Sequence, residues 1–463
     1  MSKLVQAAQY LPSIREPEKE QSLKNMLTWT GITLLLYFVL GSIDLWAPAW
    51  ASASFGRALG NLQTYQTLLG ANIGSLITLG IGPIVTSSIV LQMVVGSELL
   101  DWNTNTEAGK QKFQSAQKLL AYALAIVQGV GYVAAGTFGN ITHPGVFAIV
   151  SGQIAMGGIL IILMDDLIQK WGFGSGTGLF ISAGVSKAIY IGFISPLDAS
   201  GVYVGLASEA AGAIPSFLAT SNWSALVSPI STLAVFGVVV YLQAMRVEIP
   251  LTFGNVRGFG QKWPLKFLYT SVTPVILIAA LVTNIQIVGT TIAGADNCSP
   301  LGCVNAQGQA VSGLISWLQA PQGVIQSLLN GTLGLFGTGS VFHILFYLSV
   351  YIFGSILFSI FWMKTSGQDA DSVAEQIKQT GMKVPGFRKD KRVIKKVLNR
   401  YIPGLTVLSG AAIGALAALA NMTQAAGGGT GILLTVMILY QMYEELAQKH
   451  MEELHPAMKD FFQ

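Results

Sequence analysis

Two short glycine-rich runs are the first places to look for chemistry in this chain of 463 residues. Gly174-Ser175-Gly176-Thr177-Gly178 precedes Leu179-Phe180-Ile181, and Gly427-Gly428-Gly429-Thr430-Gly431 precedes Ile432-Leu433-Leu434. A glycine loop opening a helix can cradle phosphate, but neither run ends in the Lys-Ser/Thr pair of a nucleotide loop, so the chain does not spend ATP by that route. Ser175 and Ser182 lie near glycines, yet an intramembrane serine protease needs a His on another span; His343, at a span start, reads as interfacial. His143, His343, His450 and His455 are scattered and His-Glu-x-x-His is absent, so no metal site is expected. A coupled transporter places ionisable groups at the midplane. Here Asp44, Asp165 and Asp166 fall at span ends, and Lys187, on the order of 15 Å beyond Thr177 at the helical rise, reads as snorkelling to the outer interface. The residues point to no enzyme, no cofactor and no metal.

The elements that carry these residues are hydrophobic spans. The chain is 52% hydrophobic and 10% charged, whereas soluble domains carry about 25% charged residues. Ten apolar stretches can be read, at 27–46, 73–96, 119–138, 146–164, 179–194, 226–245, 267–288, 341–362, 402–420 and 431–443. With both termini inside, every Lys and Arg except Arg57 and Lys187 falls on the inner side, as the positive-inside rule requires of ten spans with cytosolic ends. The first stretch is too long, and too far from the terminus, for a secretory signal core despite Ala51-Ser52-Ala53 behind it. The net charge of +4 reflects cytosolic loops.

The expected fold is therefore an all-α polytopic membrane protein of ten transmembrane helices in two inverted five-helix halves, because five spans per half forces the second half in from the opposite side. Residues 1–24 form a cytosolic N-terminal segment whose Leu4, Val5, Ala8 and Leu11 have helical spacing, suited to a membrane surface or a partner. The first half spans 25–200 and includes a re-entrant segment at 55–70, too polar to span and too apolar for an ordinary loop. The second half spans 201–446 with inner loops at 246–266 and 364–400, followed by a cytosolic tail at 447–463. Cys298 and Cys303, the only cysteines, share an outer loop where they can join as a disulfide or stay free. The basic run Arg388-Lys389-Asp390-Lys391-Arg392 suits anionic lipid or a phosphate-bearing or acidic partner.

Helix breaks recur at matched positions. Gly80-Ile81-Gly82-Pro83 interrupts the second span and Thr273-Pro274 the seventh, while the glycine runs open the fifth and the tenth. Such pairs point to a transport path. The side chains beside them, Ile81, Val85, Ile181, Ile276 and Leu434, are apolar where a solute site wants polar groups. They suit a constriction that stops ions by dewetting, or ordinary span packing with glycines at close contacts. An inverted-repeat secondary transporter of small solutes and a non-conducting scaffold or insertase are the competing functions.

Five separated motifs carry a family likeness: residues 73–86, then Met245-Arg246-Val247-Glu248-Ile249-Pro250-Leu251, then Gly386-Phe387-Arg388 with Arg400-Tyr401-Ile402-Pro403, then 427–435, then Glu453-Leu454-His455-Pro456-Ala457. In these the chain resembles the archaeal and eukaryotic type of SecY, the central channel subunit of the Sec protein translocon, nearly end to end. The resemblance implies a protein-conducting channel that passes signal-bearing polypeptides across the cytoplasmic membrane and releases hydrophobic segments sideways into lipid. It implies a pore ring at Ile81, Val85, Thr177, Ile181, Ile276 and Leu434, where Thr177 departs from the family's apolar pattern and leaves the seal wetter or bonds its own helix backbone. It implies a plug carrying Phe55, Arg57, Leu59, Leu62, Tyr65 and Leu69, and a lateral gate between the second and third and the seventh and eighth spans. Thr86, Gln128 and Asn284 form the gate's polar cluster, with Gln128 in place of the acid of some relatives.

The same resemblance gives partners: small SecE-type and beta-type membrane subunits, the ribosome and the signal recognition particle receptor, nascent secretory and membrane polypeptides, and lipid. The docking loops would be those of Arg257, Lys262, Arg388, Lys389, Lys391 and Arg392.

Overall fold

A computed structural model describes residues 6 and 10–454 other than 19–20, 47–70, 73, parts of 98–105 and 135–142, most of 198–211, 222, 254–259, 271–272, 294–297, 305–309, most of 322–339, 380–381, 384–390 and 424. The first half holds α1 (Leu23–Gly41), α2 (Gly82–Gly96), α3 (Glu107–Ala134), α4 (Pro144–Trp171) and α5 (Gly176–Ile194). The second holds the short α6 (Ala213–Thr220), α7 (Val227–Ala244), strands β1 (Arg246–Phe253) and β2 (Gly260–Lys266), and α8 (Thr273–Ala293). Next come β3 (Cys298–Ser299), β4 (Gly302–Val304), β5 (Ala310–Gly313), α9 (Leu314–Trp317) and α10 (Val341–Thr365). The remainder is α11 (Ala370–Gln379), β6 (Met382–Lys383), α12 (Lys391–Met422) and α13 (Gly429–Leu454).

By length and composition α1, α4, α5, α7, α10 and α12 can each cross a membrane, and α2 and the first part of α8 are shorter apolar helices. Their outer faces are what lipid requires. Leu35, Phe236 and Phe353 are 66%, 50% and 71% exposed, an apolar surface that a water-soluble protein rarely presents so widely. Since lipid tails are as apolar as leucine, helix association rests on close packing instead. Gly410 and Gly414 of α12 supply it against α10. A β-carbon at Gly410 would lie 2.6 Å from Ser359 Oγ, and one at Gly414 would lie 2.5 Å from the Tyr351 carbonyl. Gly157 of α4 meets the Leu76 carbonyl so closely that a β-carbon would overlap it at 1.7 Å.

Several elements differ from the sequence reading. The second stretch is helical only from Gly82; residues 74–81 form turns, with Gly80 at φ +51°, and Pro83 in the first helical turn has no amide there that needs an acceptor. The ninth and tenth stretches are longer as helices. α12 starts at Lys391 inside the expected inner loop, because Ile394 and Leu398 are buried with Ala374, Ile377 and Leu265 in a separate cluster. The fold is not purely helical: β1 pairs antiparallel with β2 and with β6, and β3, β4 and β5 make a second three-stranded sheet.

The helical spacing expected of the N-terminal segment falls mostly outside the described residues. Leu4, Val5 and Ala8 lie outside the described residues, and 11–18 is not helical. The 11–18 segment is strapped over the middle of α3 and the C-terminal turns of α4 through its backbone. Ile14 N–H donates to Asp166 at 2.9 Å, Lys170 Nζ to the Ile14 carbonyl at 2.6 Å, Trp171 Nε1 to the Arg15 carbonyl at 2.8 Å and the Tyr122 hydroxyl to the Pro12 carbonyl at 2.9 Å. Leu11 packs on Ala121, Tyr122, Ala125 and Ile162.

Candidate functional site

The two glycine runs are built alike. Gly174 and Gly427 share φ +79°, a left-handed turn that glycine reaches without a steric cost. Three residues further on each run, a threonine begins a helix and is held by one side-chain oxygen from the preceding span. Thr177 donates its N–H and its hydroxyl to Asp165 Oδ1 at 2.7 and 3.0 Å. Thr430 does the same to Asn421 Oδ1, at 2.8 and 2.6 Å. The glycine before each threonine lies against the tethering segment: a β-carbon on Gly176 would lie 2.6 Å from Asp165 Oδ1, and one on Gly429 would lie 1.9 Å from the Ala420 carbonyl carbon and 2.4 Å from the Asn421 backbone nitrogen. The glycine after each threonine meets the other half. A β-carbon on Gly178 would lie 3.1 Å from Ile438 Cγ2 of α13, and one on Gly431 would lie 2.8 Å from Val185 Cγ2 of α5.

Along the helices that start there, Ile181 and Leu434 are fully buried, as is Ile81 at the foot of α2, and Val85 is nearly so. All four belong to the central apolar cluster, and Ile276 of α8 packs against it half-buried. Thr177 stands apart. Its hydroxyl is turned to the Asp165 carboxylate of α4, not to its own helix backbone and not to the apolar cluster.

Thr86, Gln128 and Asn284 come together from α2, α3 and α8. Gln128 Nε2 donates to Thr86 Oγ1 at 3.3 Å and Asn284 Nδ2 donates to the same oxygen at 3.4 Å. One hydroxyl thus gathers two amides across three helices, and all three residues are half-buried. The residues at the end of α9 bridge α8 and α10. Gln286 Nε2 donates to the Leu318 carbonyl at 2.7 Å, and His343 Nε2 lies 3.2 and 3.1 Å from the carbonyls of Trp317 and Gln319. Carbonyls only accept, so that nitrogen carries the proton. His343, at the start of α10, is buried.

Cys298 and Cys303 are joined as a disulfide across β3 and β4. Lys262 sits on β2 opposite Pro250, and the first register pair of the hairpin, Arg246 and Lys266, reaches Glu444 of α13 from both strands. Lys391 opens α12 and Arg392 is exposed on it. Arg257, Arg388 and Lys389 lie outside the described residues, as do the plug residues Phe55, Arg57, Leu59, Leu62, Tyr65 and Leu69. Among the described residues no group of His, Cys, Asp or Glu could hold a metal ion.

Asp165 and Asn421 escaped the sequence reading. Asp165 looked like a polar span end and Asn421 like nothing in particular. The available signal was an Asx residue ahead of each glycine run, at related but unequal distances of 12 and 9 residues from the threonine.

The SecY family model matches residues 75–443. The chain is 40% identical over 459 residues to the protein translocase subunit SecY of Methanocaldococcus jannaschii, covering 99% of both chains. It is 40% identical over 460 residues to that of Methanococcus vannielii, covering 97% of both. Among solved structures it resembles a chain described as a protein conducting channel, with a TM-score of 0.84, 39% identity and 99% of both chains covered. It also resembles Sec61 in the canine ribosome-channel complex from the endoplasmic reticulum, with a TM-score of 0.81, 39% identity and 99% of both chains covered.

Proposed function

The chain belongs to the SecY family, and from that premise we propose how this protein-conducting channel subunit works. Ten spans, with both termini on the cytosolic side of the cytoplasmic membrane, place the two glycine-opened helices α5 and α13 beside one central constriction. Ile81, Val85, Ile181, Ile276 and Leu434 seal it, with Thr177 at its margin, and the plug at 55–70 closes it from outside. A ring without polar groups repels ions by dewetting and binds no particular peptide, so varied sequences slide through.

A signal sequence opens the channel by entering between α2 and α8, where it replaces the contact of Asn284 with Thr86, and displaces the plug. An extended chain then passes the ring, and apolar segments leave sideways into lipid. Neutral Gln128 makes that exit cheaper than a carboxylate would, since a buried amide costs less to desolvate than a charge. The β1–β2 hairpin with Lys262 and Arg257, and the 384–392 segment with Arg388, Lys389, Lys391 and Arg392, dock the ribosome, whose phosphates suit their charge, or the signal recognition particle receptor. A SecE-type subunit clamps the two halves, and a beta-type subunit sits beside it. The push comes from elsewhere, because no nucleotide loop exists in the sequence.

The observation that carries this reading is the shared burial of Ile81, Val85, Ile181 and Leu434 in one cluster fed by all four matched helix breaks, with Ile276 against it. The transporter reading falls away, since the relatives are translocase subunits and the breaks are lined by apolar side chains. The test is a secretory chain stalled in reconstituted membranes, with cysteine at Ile276 or Leu434. Crosslinks to the stalled chain are expected, and their absence at both positions overturns the pathway.

A further inference from the structure

The ring residues of α5 and α13 each follow a tethered threonine by four residues: Ile181 after Thr177 and Leu434 after Thr430. In a helix that spacing puts the two side chains one above the other on the same face. The threonines are the first residues the helices could swing on, and each is fixed by two hydrogen bonds to one oxygen of a neighbouring span. In both cases the tether crosses from the fourth span of a half to its fifth, α4 to α5 and α12 to α13.

We propose that Asp165 and Asn421 are paired positioning residues that set the closed constriction by fixing the starts of α5 and α13. The inference rests on the ring reading given above. Its basis is independent of it: the same bidentate contact recurs in both halves although the residue type differs, carboxylate in one and amide in the other. What the two sites share is an acceptor oxygen for an N–H and a hydroxyl, so the acceptor and not the charge is the required feature. The glycines agree with this. Gly176 and Gly429 each leave no room for a β-carbon against the tethering segment, so the helix start lies as close to its neighbour as backbone allows. Asp165 has a further partner, Gln169 Nε2 at 2.8 Å on Oδ2, which holds the carboxylate so that Oδ1 faces Thr177. Asn421 has an equivalent brace, its Nδ2 donating to the Tyr347 hydroxyl of α10 at 2.9 Å.

The experiment measures closed-state ion leak of the full-length chain reconstituted in vesicles, with thermal stability followed in parallel. Asp165→Ala and Asn421→Ala are expected to raise the leak about tenfold each, the scale of losing a bidentate or charge-assisted contact. Asp165→Asn and Asn421→Asp, which keep the acceptor, are expected to leak like the unaltered chain; in Asp165→Asn the Gln169 amide turns over to offer its oxygen. Should the alanine variants fail to fold, Thr177→Val and Thr430→Val remove only the hydroxyl donor and are expected to raise the leak severalfold. Ring variants Ile181→Ser and Leu434→Ser serve as the reference. A leak in the reference with none in the alanine and valine variants overturns the positioning role and leaves the ring standing. A leak in Asp165→Asn equal to that of Asp165→Ala overturns the acceptor argument, and silence in the reference removes the ring and this inference together.

Discussion

Asn284 of α8 and Thr86 of α2 lie 3.4 Å apart, amide to hydroxyl, and Gln128 of α3 reaches the same hydroxyl from 3.3 Å. One hydroxyl oxygen thus joins α2, α3 and α8.

Thr86→Val keeps the volume and removes the shared acceptor. At about 1 kcal/mol per hydrogen bond, each lost contact shifts the opening equilibrium by roughly fivefold. Secretory precursors with signals shortened by a few apolar residues are expected to translocate better through Thr86→Val, while Thr86→Ser behaves like the unaltered chain. A stricter signal requirement in the valine variant would contradict a latch.

Two glycines on α4 should respond in opposite directions to the same change. A β-carbon at Gly152 meets nothing within 4 Å, so Gly152→Ala is expected to stabilise by about 0.5–1 kcal/mol through helix propensity. At Gly157 the β-carbon would overlap the Leu76 carbonyl, and Gly157→Ala is expected to lower stability by at least about 1–3 kcal/mol. Thermal unfolding in detergent decides the order, and equal melting temperatures would refute the close packing of α4 on the turn before α2.

The β3–β4–β5 sheet is closed by Cys298 and Cys303, five residues apart. Maleimide is expected to label the native protein at no cysteine, and at two after reduction. Replacing both by serine should loosen the 298–313 sheet by about 2 kcal/mol on the loop-entropy scale, seen as faster amide exchange confined to those strands. Labelling without reductant would show the thiols to be free.

Asp166 holds the N-terminal strap at the Ile14 amide while facing Lys118 at 3.6 Å and Lys170 at 3.0 Å. Asp166→Ala leaves two lysines together with no counter-charge and frees the Ile14 amide. Trypsin added to the cytosolic face is expected to cut after Arg15 faster in this variant, and mass spectrometry of the released peptide reads it. An unchanged cutting rate would mean that Tyr122, Lys170 and Trp171 hold the strap without Asp166.

Much of the helical frame could be read from hydropathy and lysine placement, because apolar length and charge asymmetry leave few arrangements. The meeting of Thr86, Gln128 and Asn284 was readable only through resemblance: they are unremarkable polar residues on three separate stretches, and nothing local says they meet. The helical start of α12 was hidden by its charge. Lys391, Arg392, Lys395 and Lys396 read as a solvated loop, and the buried positions between them, Ile394 and Leu398, mattered only once α11 was there to cover them. The β1–β2 hairpin was missed although Val247, Ile249 and Leu251 alternate with other residues, since a proline at 250 argues against a ladder position and holds only because the pairing tolerates it. Asp165 and Asn421 were missed because a tether depends on how consecutive spans turn back on each other, which spacing alone does not reveal.

The reciprocal glycine contacts reach beyond the resting channel. Gly178 faces Ile438, seven residues past Gly431, and Gly431 faces Val185, seven residues past Gly178. Each half therefore carries the recess for the other half's side chain. Neither can be exchanged alone: a chimera that takes its first half from a relative with a larger residue at 185 would drive that residue into Gly431 of the retained half. Hybrid channels should assemble only when the residues at 178, 185, 431 and 438 travel as one set.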